Sequence, residues 1–259
     1  MYQFVRIGTT AGGRIADLWD TIIVANAKWS VFDAAAGANA KTYKCEDAPN
    51  NVLFYVYVND NQADFSIVEI WEGWDAGAHA GLGDSLTDVA LNVFHVYASQ
   101  GVHVCVSDHR VLLGCSFGAE GYYIGQPIRF DVTKNMPFYI GSTDGGSHHG
   151  TFGRYEISTQ IAWRTLWDHA GNPDVEIRPV AYGSSNQYCR TCRGTYVFQD
   201  AVVFEAVGSV CLGYLDGVVS FYTTSNGFSN GEIITGEDGN WLIQGGIYSS
   251  KYWSALRLQ

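Results

Sequence analysis

At 259 residues the chain is long enough to bury a substantial core, as one large β domain or two domains of ordinary size. Only 16% of its residues are charged and 14% are aromatic, where ordinary soluble domains carry about 25% charged residues. The net charge of −11 and pI near 4.9 exclude a phosphate-tracking nucleic-acid binder and disfavour attraction to an anionic membrane surface. Scarce charge with many aromatics fits either an outer surface covered by neighbours or a large aromatic-rich β core. No stretch approaches the roughly 18 apolar residues of a membrane span. The start, Met1-Tyr2-Gln3-Phe4-Val5-Arg6, lacks a basic region followed by an apolar one, so no signal peptide is expected. The expectation is a chain made in a cytoplasm, with its six cysteines as reduced thiols.

Along the chain, Ile15, Leu18, Trp19, Ile22 and Ile23 recur at helical spacing, with Asp17 and Asp20 off that stripe. This predicts an amphipathic helix from Arg14 to about Ala27. Trp29 to Asp33 reads as a strand, and the small residues Ala34 to Ala40 read as a loop interrupted by Gly37 and Asn39. Val52 to Val58 is a strong strand by β-branched and aromatic content, turned by Asn59-Asp60-Asn61-Gln62 into Phe65 to Trp71. A Gly-rich loop from Gly73 to Asp84 follows. Leu91 to Tyr97 and Val102 to Val106 are expected to pair as a second hairpin across Ser99-Gln100-Gly101. Asp108-His109-Arg110 then turns into Val111-Leu112-Leu113, and Gly121 to Gly125 closes this sheet region. The segment from Gly141 to Gly153 marks the expected boundary between a helix-plus-β domain, 1–145, and a C-terminal β domain, 146–259, with one continuous domain left open. No repeat of fixed period is visible, which disfavours solenoids and propellers.

From Gly213 to the final residue the chain is a run of short apolar strands cut by Gly, Asn or Asp, the pattern of successive hairpins. Its end, Ala255-Leu256-Arg257-Leu258, is apolar enough to be a strand locked into a sheet. The residues Asp216-Gly217-Val218-Val219, Ser225 to Asn230, Trp241 to Gln244 and Tyr252 to Leu258 resemble the closing module of tailed-bacteriophage virion proteins. The first half extends the likeness through Trp29 to Asp33, Tyr55 to Val58, and the loop residues Trp71, Gly73, Trp74, Asp75, His79 and Gly81. Asp108-His109-Arg110-Val111 and Tyr123-Ile124-Gly125 sit where those proteins carry "D-x-R-V" and "Y-I-G". The segment from about His148 to Val210 has no counterpart. The resemblance implies a structural protein of the tail, baseplate or fibre, resident in the virion, whose partners are copies of itself and other virion proteins.

Motifs that carry chemistry are few. Cys189-Arg190-Thr191-Cys192 supplies half of a tetrahedral zinc site, but Cys45, Cys105, Cys115 and Cys211 offer no second pair, so structural thiols are favoured. His148-His149 and His79 lie in Gly-rich stretches and read as exposed loop histidines rather than joint metal ligands. Glu69, Glu72 and Asp75 cluster beside Trp71 and Trp74, an aromatic-acidic combination that could bind sugar, although core tryptophans rimmed by solvated acids are the favoured explanation. No G-x-S-x-G elbow, P-loop or H-E-x-x-H is present in the sequence.

The sequence therefore predicts a mainly β (α+β) fold of antiparallel, sandwich-like sheets with one short N-terminal helix. No cofactor or metal is called for, nor nucleic acid, membrane insertion or an enzymatic role. Trp71, Trp74, Asp75 and His79 are the candidate glycan or partner contacts. Two rivals stand beside the virion subunit: a carbohydrate- or receptor-binding β-sandwich directed at host surface glycan, and a glycan-degrading enzyme needing a carboxylate pair in a cleft.

Overall fold

The computed structural model describes residues 1–5, 19–37, 39–50, 52–60, 65–82, 91–94, 101–115, 121–130, 139–142, 151–152, 155–157, 160–162, 175–178, 199–205, 210–222, 228–236, 238–244 and 252–258. In chain order the strands begin with β1 (Tyr2–Val5), β2 (Trp29–Gly37), β3 (Ala40–Asp47), β4 (Val52–Asn59), β5 (Phe65–Trp71), β6 (Gly73–Asp75), β7 (Ala80–Leu82) and β8 (Leu91–Phe94). They continue with β9 (Val102–Val106), β10 (Arg110–Cys115), β11 (Gly121–Gly125), β12 (Ile128–Arg129), β13 (Tyr139–Ser142), β14 (Thr151–Phe152), β15 (Tyr155–Ile157) and β16 (Gln160–Ala162). The last are β17 (Val175–Arg178), β18 (Gln199–Glu205), β19 (Val210–Tyr222), β20 (Ile233–Gly236), β21 (Gly239–Gln244) and β22 (Tyr252–Arg257).

These strands pair antiparallel into three main sheets. The first has the order β2-β3-β4-β5-β8, the second β1-β9-β10-β11-β13-β14, and the third β17-β18-β19-β22-β21-β20 with β12 added against β19. Strand β4 shows why the first sheet is two-faced. Val52, Phe54, Val56 and Val58 are buried while Leu53, Tyr55 and Tyr57 alternate with them on the other side, the period of two that a pleated strand imposes. The buried row packs on Val104, Val106, Val111, Leu113, Tyr122 and Ile124 of the second sheet, closed at one end by Trp19 and Ile23.

The second sheet has apolar partners on both sides. Its residues Leu112 and Tyr123, one position out of phase with Val111 and Ile124, join Val203, Leu215, Val218, Leu242 and Leu256 of the third sheet. Strands buried on both faces need near-continuous apolar runs, which is what Val111-Leu112-Leu113 and Tyr122-Tyr123-Ile124 supply. Gly114 and Gly121 face each other in the ladder, and a Cβ on either would collide with Leu242 or Leu256. That glycine pair lets the third sheet approach. On the far side of the third sheet, Phe221, Trp241 and Ile243 form a separate apolar cluster under Phe228 and Ile234.

One charge lies within this apolar stack. Arg110 is 4% exposed, and its Nε and one terminal nitrogen lie 3.0 and 2.8 Å from Asp216 Oδ2. Burial alone would lower the pKa of the guanidinium, but Asp216 and its other neighbours outweigh burial and raise it. Gly217 sits at φ +75° against this guanidinium, where a side chain would be strained and crowded.

Several expectations are corrected. The helix predicted from Arg14 to Ala27 is, in its described part, a five-residue π-helical turn, Trp19–Ile23, followed by turns; Arg14 to Leu18 lie outside the described residues. Trp19 and Ile23 are buried against strands, so their helical spacing marks one packed turn. Of the loop expected at Ala34 to Ala40, Ala34 to Gly37 belong instead to β2 and Ala40 to β3, with Gly37 opposite Ala40 and Asn39 in the turn. The Gly-rich loop begins with a hairpin, β6–β7. β8 and β9 do not pair with each other: β8 adds to β5 and β9 lies between β1 and β10. Two adjacent apolar runs carry no information about which layer each joins. The ends of the Gly141 to Gly153 segment pair as β13 and β14, while residues 143–150 lie outside the described residues. β22, in contrast, does lie inside a sheet as expected, between β19 and β21.

Breaking a buried ion pair leaves one charge uncompensated, at a cost of about 3–5 kcal/mol. Asp216→Ala is expected to lose stability on that scale in urea unfolding. The double variant Arg110→Met with Asp216→Leu is expected to recover most of the loss; a milder cost for Asp216→Ala than for the double variant would refute the assignment.

Candidate functional site

The aromatic-acidic cluster predicted from sequence is brought together on the outer face of the first sheet. Register places Trp71 beside Tyr55, and Glu69 beside Tyr57. The β6–β7 hairpin folds back over that face, so Trp74 stacks on Tyr57 with centroids 5.3 Å apart and meets Trp71 edge-on at 6.2 Å. Trp74 is 7% exposed and donates its indole N–H to Asp33 Oδ2 at 2.9 Å. Trp71 donates to Glu69 Oε2 at 3.0 Å and carries Gly81 directly on its ring. Burial raises the Glu69 pKa, partly offset by that bond.

Asp75 is exposed, and its Oδ1 accepts the N–H groups of Gly77 and Ala78 at 2.8 and 3.1 Å, fixing the hairpin turn. His79 occupies the turn at φ +52°, with Nδ1 2.8 Å from Asp33 Oδ2. Asp33, which sequence reasoning did not single out, is the hub. Its burial opposes ionisation, but bonds from His79, Trp74 and the Ala35 N–H prevail and hold its pKa below the usual carboxylate value. The arrangement ties the hairpin to the sheet, and Trp74 spends its ring face on Tyr57 rather than offering it to a sugar.

A second, polar place lies where the chain leaves β11 for β12. A cavity of about 320 Å³ opens there, lined by Asp47, Asn50 and Val52 at the β3–β4 connection of the first sheet and by Asp108, His109 and the Gln126 to Arg129 corner. Backbone bonds set the corner: Gln126 N–H donates to the His109 carbonyl at 2.9 Å, and Tyr123 donates its hydroxyl to the Gln126 carbonyl at 3.0 Å. Asp47 is held by Lys28 at 2.6 Å and by Asn50, and Asp108 accepts from Asn26 at 3.2 Å. Gln126 is 5% exposed, and neither its Oε1 nor His109 Nε2 has a hydrogen-bond partner among the described residues. His109 Nε2 lies 3.6 Å from Asp216 Oδ2, which links the cavity to the buried ion pair. Burial first, and Arg110 second, lower the His109 pKa against the opposing pull of Asp216, Asp108 and Asp47.

Sequence reasoning did not propose this cavity, although it did mark Asp108 to Val111, Tyr123 to Gly125 and Asp216 to Val219. All three segments converge on Arg110. The available signal was a lone arginine leading into an apolar strand.

Cys189, Cys192, His148 and His149 lie outside the described residues. Cys45 is buried, donates to the Asp108 carbonyl at 3.3 Å, and has its thiol pKa pushed up chiefly by burial. Among the described residues no group of three His, Cys, Asp or Glu side chains could hold a metal ion, and no helix is long and apolar enough to cross a membrane. A scan against protein-family models finds no match, and a search of curated proteins finds no significant relative.

Two outcomes follow from these geometries. Gly81→Ala would drive a methyl into the Trp71 indole, so the hairpin should lift and tryptophan emission shift to the red; an unchanged spectrum would mean the hairpin is not seated there. His109 and His103 both have lowered pKa values, burial being the first cause in each. The unfolded chain therefore binds protons that the folded one does not, between those lowered values and about 6.5. Their contribution is complete above that pH and is lost as pH falls through the lowered values. Urea midpoints measured between pH 7.5 and 5 should fall, and less steeply in His109→Gln.

Proposed function

We propose that the protein is a structural subunit of a tailed-phage particle, in the tail, baseplate or fibre region, which acts by symmetric assembly rather than by catalysis. Its partners are copies of itself and other virion proteins. The observation that carries this reading is the edge of the first sheet. β2 is nine residues long and terminal in the strand order, and its only charged residue, Asp33, is buried. Val31 and Phe32 are 39% and 40% exposed, and Phe32 meets Tyr55 edge-on at 4.9 Å. Natural sheets protect long edges with lysine, proline or a covering element, because unpaired N–H and C=O groups template another strand. An apolar edge lacking lysine and proline suits a surface that a neighbour covers, and the low overall charge agrees with it. The likeness of the convergent segments around Arg110 and Asp216 to phage virion proteins supplies the kind of assembly.

The test is the association state. Light scattering of the purified chain is expected to show oligomers. Phe32→Glu on the exposed edge is expected to shift them toward monomer without lowering the unfolding temperature. A monomeric parent at high concentration that also fails to capture other virion proteins would overturn the reading.

A further inference from the structure

Among the described residues, β6 and β7 pair with each other and with no other strand. An isolated two-stranded hairpin is at best marginally stable in water, so its place depends on what its side chains meet. Trp74 lies on Tyr57 and against Trp71, and Gly81 rests on the Trp71 ring. The polar anchor is one carboxylate, 4% exposed. Asp33 Oδ2 accepts Trp74 Nε1–H at 2.9 Å and His79 Nδ1–H at 2.8 Å, while Oδ1 accepts the Ala35 N–H at 3.0 Å. Two bonds on one oxygen suit a full negative charge; a protonated carboxyl would have to donate where the hairpin offers only donors. His79 holds φ +52°, uncommon for a residue with a side chain, and opening would relieve that strain.

We propose that the β6–β7 hairpin is an acid-operated strap: it stays closed over the outer face of the first sheet while Asp33 is ionised, and protonation of Asp33 frees it to open with the layered core intact, uncovering Tyr57 and Trp71. Tyr55 lies beside Trp71 in the register and carries Phe32 at its edge, so opening would extend that exposed aromatic row inward. Burial opposes ionisation of Asp33, but the bonds from His79, Trp74 and Ala35 outweigh it and hold its pKa below the value of about 3.9 that it regains in water. The closed strap thus binds fewer protons than the open one. Closure is complete above about pH 3.9 and is lost as pH falls through the lowered value, by up to about tenfold in the opening equilibrium per pH unit. The other charged and titratable groups around Asp33 do not produce this response. On the hairpin, Asp75 is committed to the N–H groups of Gly77 and Ala78. On β3, Thr42 stands opposite Asp33, Lys41 pairs with Asp20 and Lys44 with Glu46. On β4, the Tyr57 hydroxyl accepts from Asn59. On β5, burial raises the Glu69 pKa, so its protonation comes at higher pH and favours the closed, buried state, the opposite sense. The proposal does not rest on the assembly reading.

Amide hydrogen exchange of the full chain between pH 7 and 3, read by mass spectrometry and corrected for the intrinsic pH dependence of exchange, tests it. The expected result is protection of residues 73–82 that falls by up to about tenfold per pH unit below about 3.9, while residues 110–115 of β10 keep theirs. Asp33→Asn removes the charge and keeps the shape. It should lower the protection of 73–82 at pH 7 by about tenfold, the worth of one hydrogen bond to a charged group, with no further loss in acid. Protection of 73–82 that is unchanged down to pH 3, or that falls only together with that of 110–115, overturns the proposal. So does an Asp33→Asn chain that exchanges like the parent. Should Asp33→Asn fail to fold, the pH series of the parent chain decides by itself.

Discussion

Strands β9, β10 and β11 at the centre of the second sheet have almost no surface left for water, and the rest of the architecture follows from that. A sheet buried on both sides must have apolar side chains at successive positions, and any polar group within it must be satisfied inside the protein. Arg110 is the position where this rule is tested. Its guanidinium points toward the third layer and finds Asp216, 106 residues away along the chain. The pair therefore selects which part of the C-terminal segment lies over β10, since a displaced register would leave a buried charge without a counter-ion. Apolar packing supplies most of the stability of such a stack, at about 1.5–3 kcal/mol for each large side chain fully buried. It does little to fix alignment, and the ion pair with the Gly114–Gly121 recess does that.

The strands that alternate were legible in the sequence, because alternation is a local consequence of having one wet face. Val52 to Val58 and Phe65 to Trp71 are of this kind, and both were found with their hairpin pairing. The closing strand was legible for a related reason, its apolar character persisting to Leu258. What failed depended on information outside the local window. Whether Leu91 to Phe94 pairs forward or backward is decided by which layer has an open edge, and nothing in its own residues records that. The described part of the helix expected from Arg14 to Ala27 is one turn whose Trp19 and Ile23 anchor into a β core.

The candidate site divides in the same way. Trp71, Trp74, Asp75 and His79 were found because aromatic and acidic residues close together in sequence stand out by composition. Their hub, Asp33, was invisible, lying 41 residues before Trp74 on another strand. The corner cavity was harder still. It is assembled from a strand connection of one sheet, a tight turn in a second and the crossing into a third, so no window of sequence contains it. Only Arg110, out of place in an apolar run, hinted that something polar had to be accommodated nearby.

The position of β22 has a consequence for how the chain comes to be folded. It lies between β19 and β21, so the third sheet cannot close until this strand, which follows both its partners in the chain, is available. During synthesis the first two layers can form around their shared core while the third waits as two separate ribbons with open edges. β1 adds a second delay at the other end, since its partner β9 is about a hundred residues away. Folding governed by such distant pairings is slow. Without β22 the facing edges of β19 and β21 in the third sheet would stay open and exposed to pairing with neighbouring chains. Insertion of β22 thus acts as the step that joins the third sheet.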